Sequence, residues 1–78
     1  GGEEAGAALD RAELLAAVND FLGRLPARKR EMFLRRCWYC DSLSDIAARL
    51  GTTPANVSVT LGRVRRQLRQ HLTERGFF

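Results

Sequence analysis

The tetrapeptide CWYC at residues 37–40 is the stretch of this sequence whose residue types most directly suggest chemistry. Two cysteines three residues apart can act as a redox couple or supply half of a zinc site. Zinc needs about four ligands, and His71 is the single histidine that is present to join the two thiols. A redox cysteine normally lies at a helix N-terminus, where the helix dipole favours the thiolate, but this pair lies near the end of a predicted helix. We therefore expect Cys37 and Cys40 to be small buried hydrophobic residues.

The remaining side chains that can do chemistry do not assemble into a catalytic set. The lone histidine and the scattered acids supply no Ser/His/Asp triad, no paired carboxylates and no glycine-rich phosphate loop. We expect the protein not to be an enzyme and to need no cofactor or metal. Trp38 and Tyr39 are expected in the core or on the wall of a groove, and His71 at the surface or at a helix end.

Length and hydropathy exclude further classes of protein. The 78 residues are enough for one small domain. No apolar run reaches the roughly 20 residues that a membrane-spanning helix needs. The N-terminal sequence GGEEAGAALD is acidic and does not resemble a signal peptide. We therefore expect a cytoplasmic protein with no membrane partner.

The charges of the chain are segregated. Residues 1–23 carry five acidic residues and one arginine, whereas residues 24–78 carry twelve basic and four acidic residues. Arginine supplies twelve of the thirteen basic residues, and its planar guanidinium suits phosphate and guanine better than lysine does. A basic block with this asymmetry suggests a polyanionic partner such as nucleic acid, although a solvated surface would show the same composition.

The spacing of apolar residues predicts four helices and no strand, so the expected fold class is all-α, a small four-helix domain with a helix-turn-helix. Asp10, Ser42 and Thr53 have side chains typical of helix N-caps. The predicted helices cover residues 9–24, a segment that starts at Pro26, residues 42–51 and residues 53–75. We assign residues 1–8 to a linker or a cloning remnant, and 9–78 to the domain.

The third and fourth predicted helices, within residues 42–75, have the length and separation of a helix-turn-helix. Gly51 can take the left-handed conformation of the turn, and Ala47 is small where the two helices approach. In this arrangement the second helix presents its outer face to the DNA major groove. Its apolar stripe consists of Val57, Leu61, Val64, Leu68 and Leu72.

The opposite side of this last helix is the predicted DNA-binding surface. Ser58, Val59 and Arg63 lie in its first turns, where base edges are within reach, and a thymine methyl group would be a suitable partner for Val59. Gly62 costs about 1 kcal/mol inside a helix, which indicates a packing or close-approach role. We call the following residues the recognition face: Thr53, Ala55, Ser58, Val59, Gly62, Arg63, Arg66 and Arg69.

Three stretches of the chain resemble region 4 of bacterial sigma factors of the sigma-70 family, especially the compact extracytoplasmic-function type. They are LPARKREMFLRR from Leu25, SLSDIAARLG from Ser42 and VSVTLGRVRRQL from Val57, in the same order as in that family. The resemblance implies a domain that binds the promoter minus-35 element in double-stranded DNA and docks on the β flap of RNA polymerase. An anti-sigma factor is a further partner that the resemblance suggests.

The resemblance also implies roles for individual residues. The last helix would be the recognition helix, and Arg63 matches an arginine that is common in the family. Family members often carry basic residues at the positions of Ser58 and Thr60, so this chain departs from the pattern at the tip of that helix. The same resemblance places Cys40 at the end of the second helix and Cys37 on its buried stripe.

Two other functions fit the same residues. The chain could be a stand-alone helix-turn-helix regulator, which would normally bind a two-fold operator as a dimer. It could instead be an interaction module in which a groove between the first two helices binds a helix of polymerase or of an anti-sigma factor. The second role is compatible with DNA binding on the opposite side of the domain.

Overall fold

A computed structural model describes the backbone of residues 2–77 and the side chains of residues 10–77. The described chain folds into four α-helices, and it contains no strand. The helices are α1 (Gly2–Arg24), α2 (Ala27–Cys37), α3 (Leu43–Leu50) and α4 (Pro54–Glu74). The predicted all-α fold with four helices is confirmed.

Helix α1 begins at Gly2, earlier than the predicted start at residue 9. Asp10 therefore lies inside the helix, and its prediction as the N-cap was wrong. The physical reason is that glutamate and alanine, which dominate residues 2–9, favour helix almost as strongly as any residue types. The assignment of residues 1–8 to a linker or remnant stays a prediction, and Gly1 lies outside the described residues.

Helix α2 begins and ends differently from the prediction. Pro26 is the N-cap residue, with an extended backbone at ψ 143°, and it does not lie in the first helical turn. The helix ends at Cys37, so Cys40 lies three residues beyond it, in the left-handed region at φ 59°. The backbone N–H of Asp41 donates to the carbonyl oxygen of Arg35 at 2.9 Å, which folds residues 38–40 back over the last turn. The placement of Cys40 at the end of the second helix was therefore wrong.

The helix-turn-helix forms through the capping groups that the sequence predicts. The hydroxyl of Ser42 accepts a hydrogen bond from the backbone N–H of Asp45 at 3.0 Å, so it caps the start of α3. Gly51, with φ 68°, is the C-cap that follows the last residue of α3. The hydroxyl of Thr53 accepts from the N–H of Asn56 at 3.1 Å, so it caps α4. These side chains satisfy backbone donors that a helix start leaves unpaired. The turn is therefore fixed by local chemistry at both of its ends.

The main core lies where α2, α3 and α4 meet. Its buried side chains are Met32, Ile46, Ala47, Val57 and Leu61. Burial of a large apolar side chain stabilises a fold by roughly 1.5–3 kcal/mol, so these few residues account for much of the stability of a small domain. Of the predicted stripe of α4, Leu68 is half-buried and the other four residues are buried.

Helix α1 packs against the C-terminal half of α4. The Nε2–H of His71 donates to the carbonyl oxygen of Ala17 at 3.2 Å, and its ring lies 5.6 Å from that of Phe21. Beside it, the guanidinium of Arg75 donates to the carboxylate of Asp20 at 2.6 Å. His71 lies in the last turn of α4 as expected, but it is half-buried, because it joins the two helices.

Candidate DNA-binding surface

The two sides of α4 differ in what they contact. Val57 and Leu61 are buried against α2 and α3, whereas Ser58, Val59 and Arg63 are exposed. Val59 exposes 52% of its surface, so this apolar β-branched side chain is open to contact by a partner. The predicted division of α4 into a buried stripe and an exposed recognition face is confirmed as geometry. The role of that face in binding DNA stays a prediction at this point.

Four arginines continue the exposed side of α4 along its middle: Arg63, Arg65, Arg66 and Arg69. All four are exposed, and none of them forms a salt bridge with a side chain in residues 10–77. Guanidinium groups without a carboxylate partner are free to contact phosphates, which position a protein on a duplex. Arg65 and Arg69 also line a groove between α2 and α4. Arg69, a member of the recognition face, therefore lies at the edge of that face nearest to α2.

Gly62 is half-buried, but a Cβ atom at this position would meet no atom within 4 Å. Packing inside the domain therefore does not explain the glycine, and the predicted packing role was wrong. The open space remains compatible with the other predicted role, a close approach of the helix backbone to a bound molecule.

The first turn of α4 completes the surface. Thr53 and Ala55 are exposed there, and the hydroxyl of Thr53 is engaged in the N-cap. Asn56 is also exposed, and its Nδ2 donates to the hydroxyl of Thr52 at 2.8 Å. Asn56 is not among the site residues predicted from the sequence. Its position three residues after the N-cap was the available signal, because a polar side chain there often reaches back across the turn.

The other side of the domain carries an open apolar groove between α1 and α2. We call it the docking groove; its volume is about 380 Å³. Trp38 and Tyr39 stand on its wall, and they expose 80% and 62% of their surfaces. Their predicted place on a groove wall agrees with the structure, and their predicted place in the core was wrong. The lining residues are Leu15, Val18, Asn19, Leu22, Phe33, Leu34, Cys37, Trp38 and Tyr39.

The two cysteines contradict their predicted burial, since both thiols are free and exposed. For Cys40 the reason is that α2 ends at Cys37, so the helical spacing does not reach it. Cys37 lies in α2 but lines the open groove between α1 and α2. Within residues 10–77, no three histidine, cysteine or acidic side chains come close enough to hold a metal ion. None of the helices in the described range has the length and apolar character needed to cross a membrane.

Together, the capped turn, the buried stripe and the exposed arginine face place this domain in the class of helix-turn-helix DNA-binding domains. Comparison with known families makes the assignment narrower. The family model described as sigma-70, region 4 matches residues 15–68, which include α2, α3 and most of α4. The chain belongs to this family, whose members are DNA-binding domains of sigma factors and not catalysts. A sequence comparison with curated proteins gave no match.

Membership of the family gives the domain a role in transcription initiation, in which DNA and RNA polymerase are the general partners. The matched range starts at Leu15 inside α1 and ends at Leu68 inside α4, so it contains the docking groove and all of the recognition face except Arg69. The assignment to the extracytoplasmic-function type stays a prediction.

Proposed function

We propose that this domain recognises the minus-35 element of promoters with α4 while it docks on the β flap of RNA polymerase through the groove between α1 and α2. In this way it would direct transcription initiation without chemistry of its own, and it would act in the cytoplasm. The observation that carries the proposal is the exposure of Ser58, Val59 and Arg63 on the outer side of a helix whose inner side is buried.

The base contacts follow from the side chains on the recognition face. Arg63 can donate two hydrogen bonds to guanine, and Val59 offers a methyl-sized apolar surface to thymine. Because Ser58 and Thr60 carry no charge, the tip of α4 adds little electrostatic attraction. Arg66 and Arg69 would supply it from further along the helix through phosphate contacts that weaken as salt rises.

The docking side of the proposal rests on the exposed apolar wall of the groove. Monomeric proteins rarely leave a large contiguous apolar patch exposed unless a partner covers it, and Leu15, Trp38 and Tyr39 are all exposed on the lining of this groove. An open groove between two helices suits the apolar face of a third helix. A polymerase helix is the occupant that family membership favours, and an anti-sigma factor that competes for the same groove is the second candidate.

The test begins with selection of duplexes from a random library by the domain bound to polymerase core. Fluorescence anisotropy would then compare the selected duplex with a scrambled one. We expect Arg63→Ala to cost about 1–3 kcal/mol on the selected duplex and much less on the scrambled one. Arg11→Ala is the matched control, because it removes the same charge from α1, outside the recognition face.

Arg69→Ala should behave differently from Arg63→Ala. We expect it to weaken binding on both duplexes equally and to reduce the slope of log affinity against log salt by about one. If wild type and both variants bind the two duplexes with equal affinity at low salt, recognition by α4 is wrong.

A further inference from the structure

Cys37 and Cys40 remain unexplained by the fold. Free cysteine is among the residue types most often buried, yet both of these thiols are exposed. They therefore contribute little to the core of the domain. With no third ligand nearby in residues 10–77, they also form no complete metal site within one chain.

The chain turns back on itself around the pair of cysteines. Cys37 is the last residue of α2, and the hydrogen bond from Asp41 to Arg35 folds the following segment back over that turn. Residues three apart on a helix have Cβ atoms about 5–6 Å apart, and a disulfide needs about 3.8 Å. Because residues 38–40 lie outside the helix, Cys40 is not held at that helical distance from Cys37.

The position of the pair connects it to the docking groove. Cys37 lines that groove and also the neighbouring groove between α2 and α4, whose volume is about 390 Å³. Trp38 and Tyr39, the exposed aromatic residues of the docking groove, lie between the two cysteines in the chain. A bond between the sulfurs would therefore move the most exposed part of the groove wall. The recognition face on α4 contains neither cysteine.

We propose that Cys37 and Cys40 form a reversible intramolecular disulfide that closes the docking groove to its partner. The oxidant is a low-molecular-weight disulfide. One cysteine thiolate attacks it, forms a mixed disulfide and releases one small thiol; the second cysteine attacks the mixed disulfide and releases the other. Two protein thiols are oxidised, the small disulfide is reduced to two thiols, and the protons of the cysteines end on those thiols. The control of docking rests on the proposed function, but the formation of the bond does not.

The first experiment tests the bond. The full chain is treated with oxidised glutathione, and its intact mass and free thiols are measured. We expect wild type to lose both thiols and a mass of two hydrogens, and to recover them with a reductant. Cys37→Ser and Cys40→Ser leave one thiol each and can form only a mixed disulfide. The proposal is overturned if wild type stays reduced, if glutathione stays attached to it, or if the pair binds zinc between two chains.

The second experiment tests the effect on docking. We expect oxidised wild type to bind polymerase core about tenfold more weakly than the reduced form, the effect of losing one good contact. Its DNA affinity should not change. Cys40→Ser is the control, because it changes an exposed residue that does not line the docking groove and it cannot form the internal disulfide. Its reduced form should bind polymerase as wild type does, and it should not show the tenfold loss on oxidation.

The outcomes of the second experiment separate two failures. If reduced wild type does not bind polymerase core, the docking proposal is wrong, and the control of docking is wrong with it, whatever the mass measurement gives. If the reduced and oxidised forms bind polymerase equally well, the docking proposal stands and the disulfide control alone is wrong.

Discussion

The helix-turn-helix side of this domain and its α1–α2 side differ in how far their apolar side chains are covered. In the first, Ile46, Val57 and Leu61 expose 1% of their surface or less. In the second, Leu15 and Trp38 expose 57% and 80%. Burial on one side supplies the stability of the fold, and exposure on the other leaves a surface that a partner can bind. The comparison supports the proposed docking on the α1–α2 side, whereas the helix-turn-helix side carries both the core and the exposed recognition face.

The largest expected effect compares the same substitution in the two regions. Leu61→Ala removes a buried side chain and leaves a cavity, so we expect a loss of about 2–5 kcal/mol in the free energy of unfolding. Leu15→Ala, on the exposed side, should change it by no more than about 0.5 kcal/mol. Urea denaturation followed by circular dichroism measures both. Similar losses for the two variants would break the comparison.

The second-largest expected effect is on binding to polymerase core and comes from Trp38. Because large exposed aromatic side chains often carry an interface, Trp38→Ala should weaken binding to polymerase core by about 2 kcal/mol or more. Its stability and its DNA affinity should stay close to wild type. Arg63→Ala is the control with the opposite profile, since it should lose DNA affinity and keep polymerase binding. Surface plasmon resonance with immobilised polymerase gives the first affinity. A Trp38→Ala variant that docks as well as wild type would place the partner elsewhere.

A third effect concerns Gly62, which lies on the recognition face of α4 in the helix-turn-helix region. Alanine favours helix over glycine by about 1 kcal/mol, and a Cβ there meets no atom within 4 Å, so Gly62→Ala should raise the stability of the domain. If the helix backbone approaches DNA closely at this point, the same methyl group should weaken binding to the selected duplex. Thermal unfolding and anisotropy measure the two changes. A more stable variant with unchanged DNA affinity would show that the duplex does not approach Gly62.

The smallest effect concerns Cys40, at the edge of the exposed side. A left-handed backbone costs a residue with a Cβ about 1–2 kcal/mol, and glycine gives back about 0.5–1 kcal/mol through its greater freedom when unfolded. Cys40→Gly should therefore stabilise the domain by roughly 0.5 kcal/mol. Cys37→Ser is the control, since it removes a thiol where the backbone is helical. A loss of stability in Cys40→Gly would mean that the thiol itself contributes to the fold.

The two regions also differ in how well the sequence predicts them. Around the turn, Ser42, Gly51 and Thr53 each act within three or four residues of their own position, so their types were enough to place α3 and α4. The buried stripe of α4 followed in the same way, because one uninterrupted helix keeps its spacing. The recognition face could therefore be predicted as a surface, although its contacts with DNA could not.

The errors concentrate in the other region, where distant parts of the chain decide the outcome. The burial expected for Cys40 assumed that α2 continues, but α2 ends at Cys37, where the N–H of Asp41 donates to the carbonyl oxygen of Arg35. The half-buried state of His71 depends on Ala17, which is far away in the sequence. The contact between His71 and Ala17 leaves no local pattern, because it is set by the packing of separate helices. The contact between Asp41 and Arg35 is local, but it joins backbone atoms and so no side-chain type signals it.

Helix α4 runs for 21 residues from the recognition face to the contacts that hold α1, and no break interrupts it. At 1.5 Å per residue this is about 30 Å of stiff rod. If the proposed contacts form, a partner in the docking groove would be held at a fixed distance from the DNA, because α1, which lines that groove, packs against the far half of α4. The length of α4 would then set the distance between the polymerase and the promoter sequence that the domain binds.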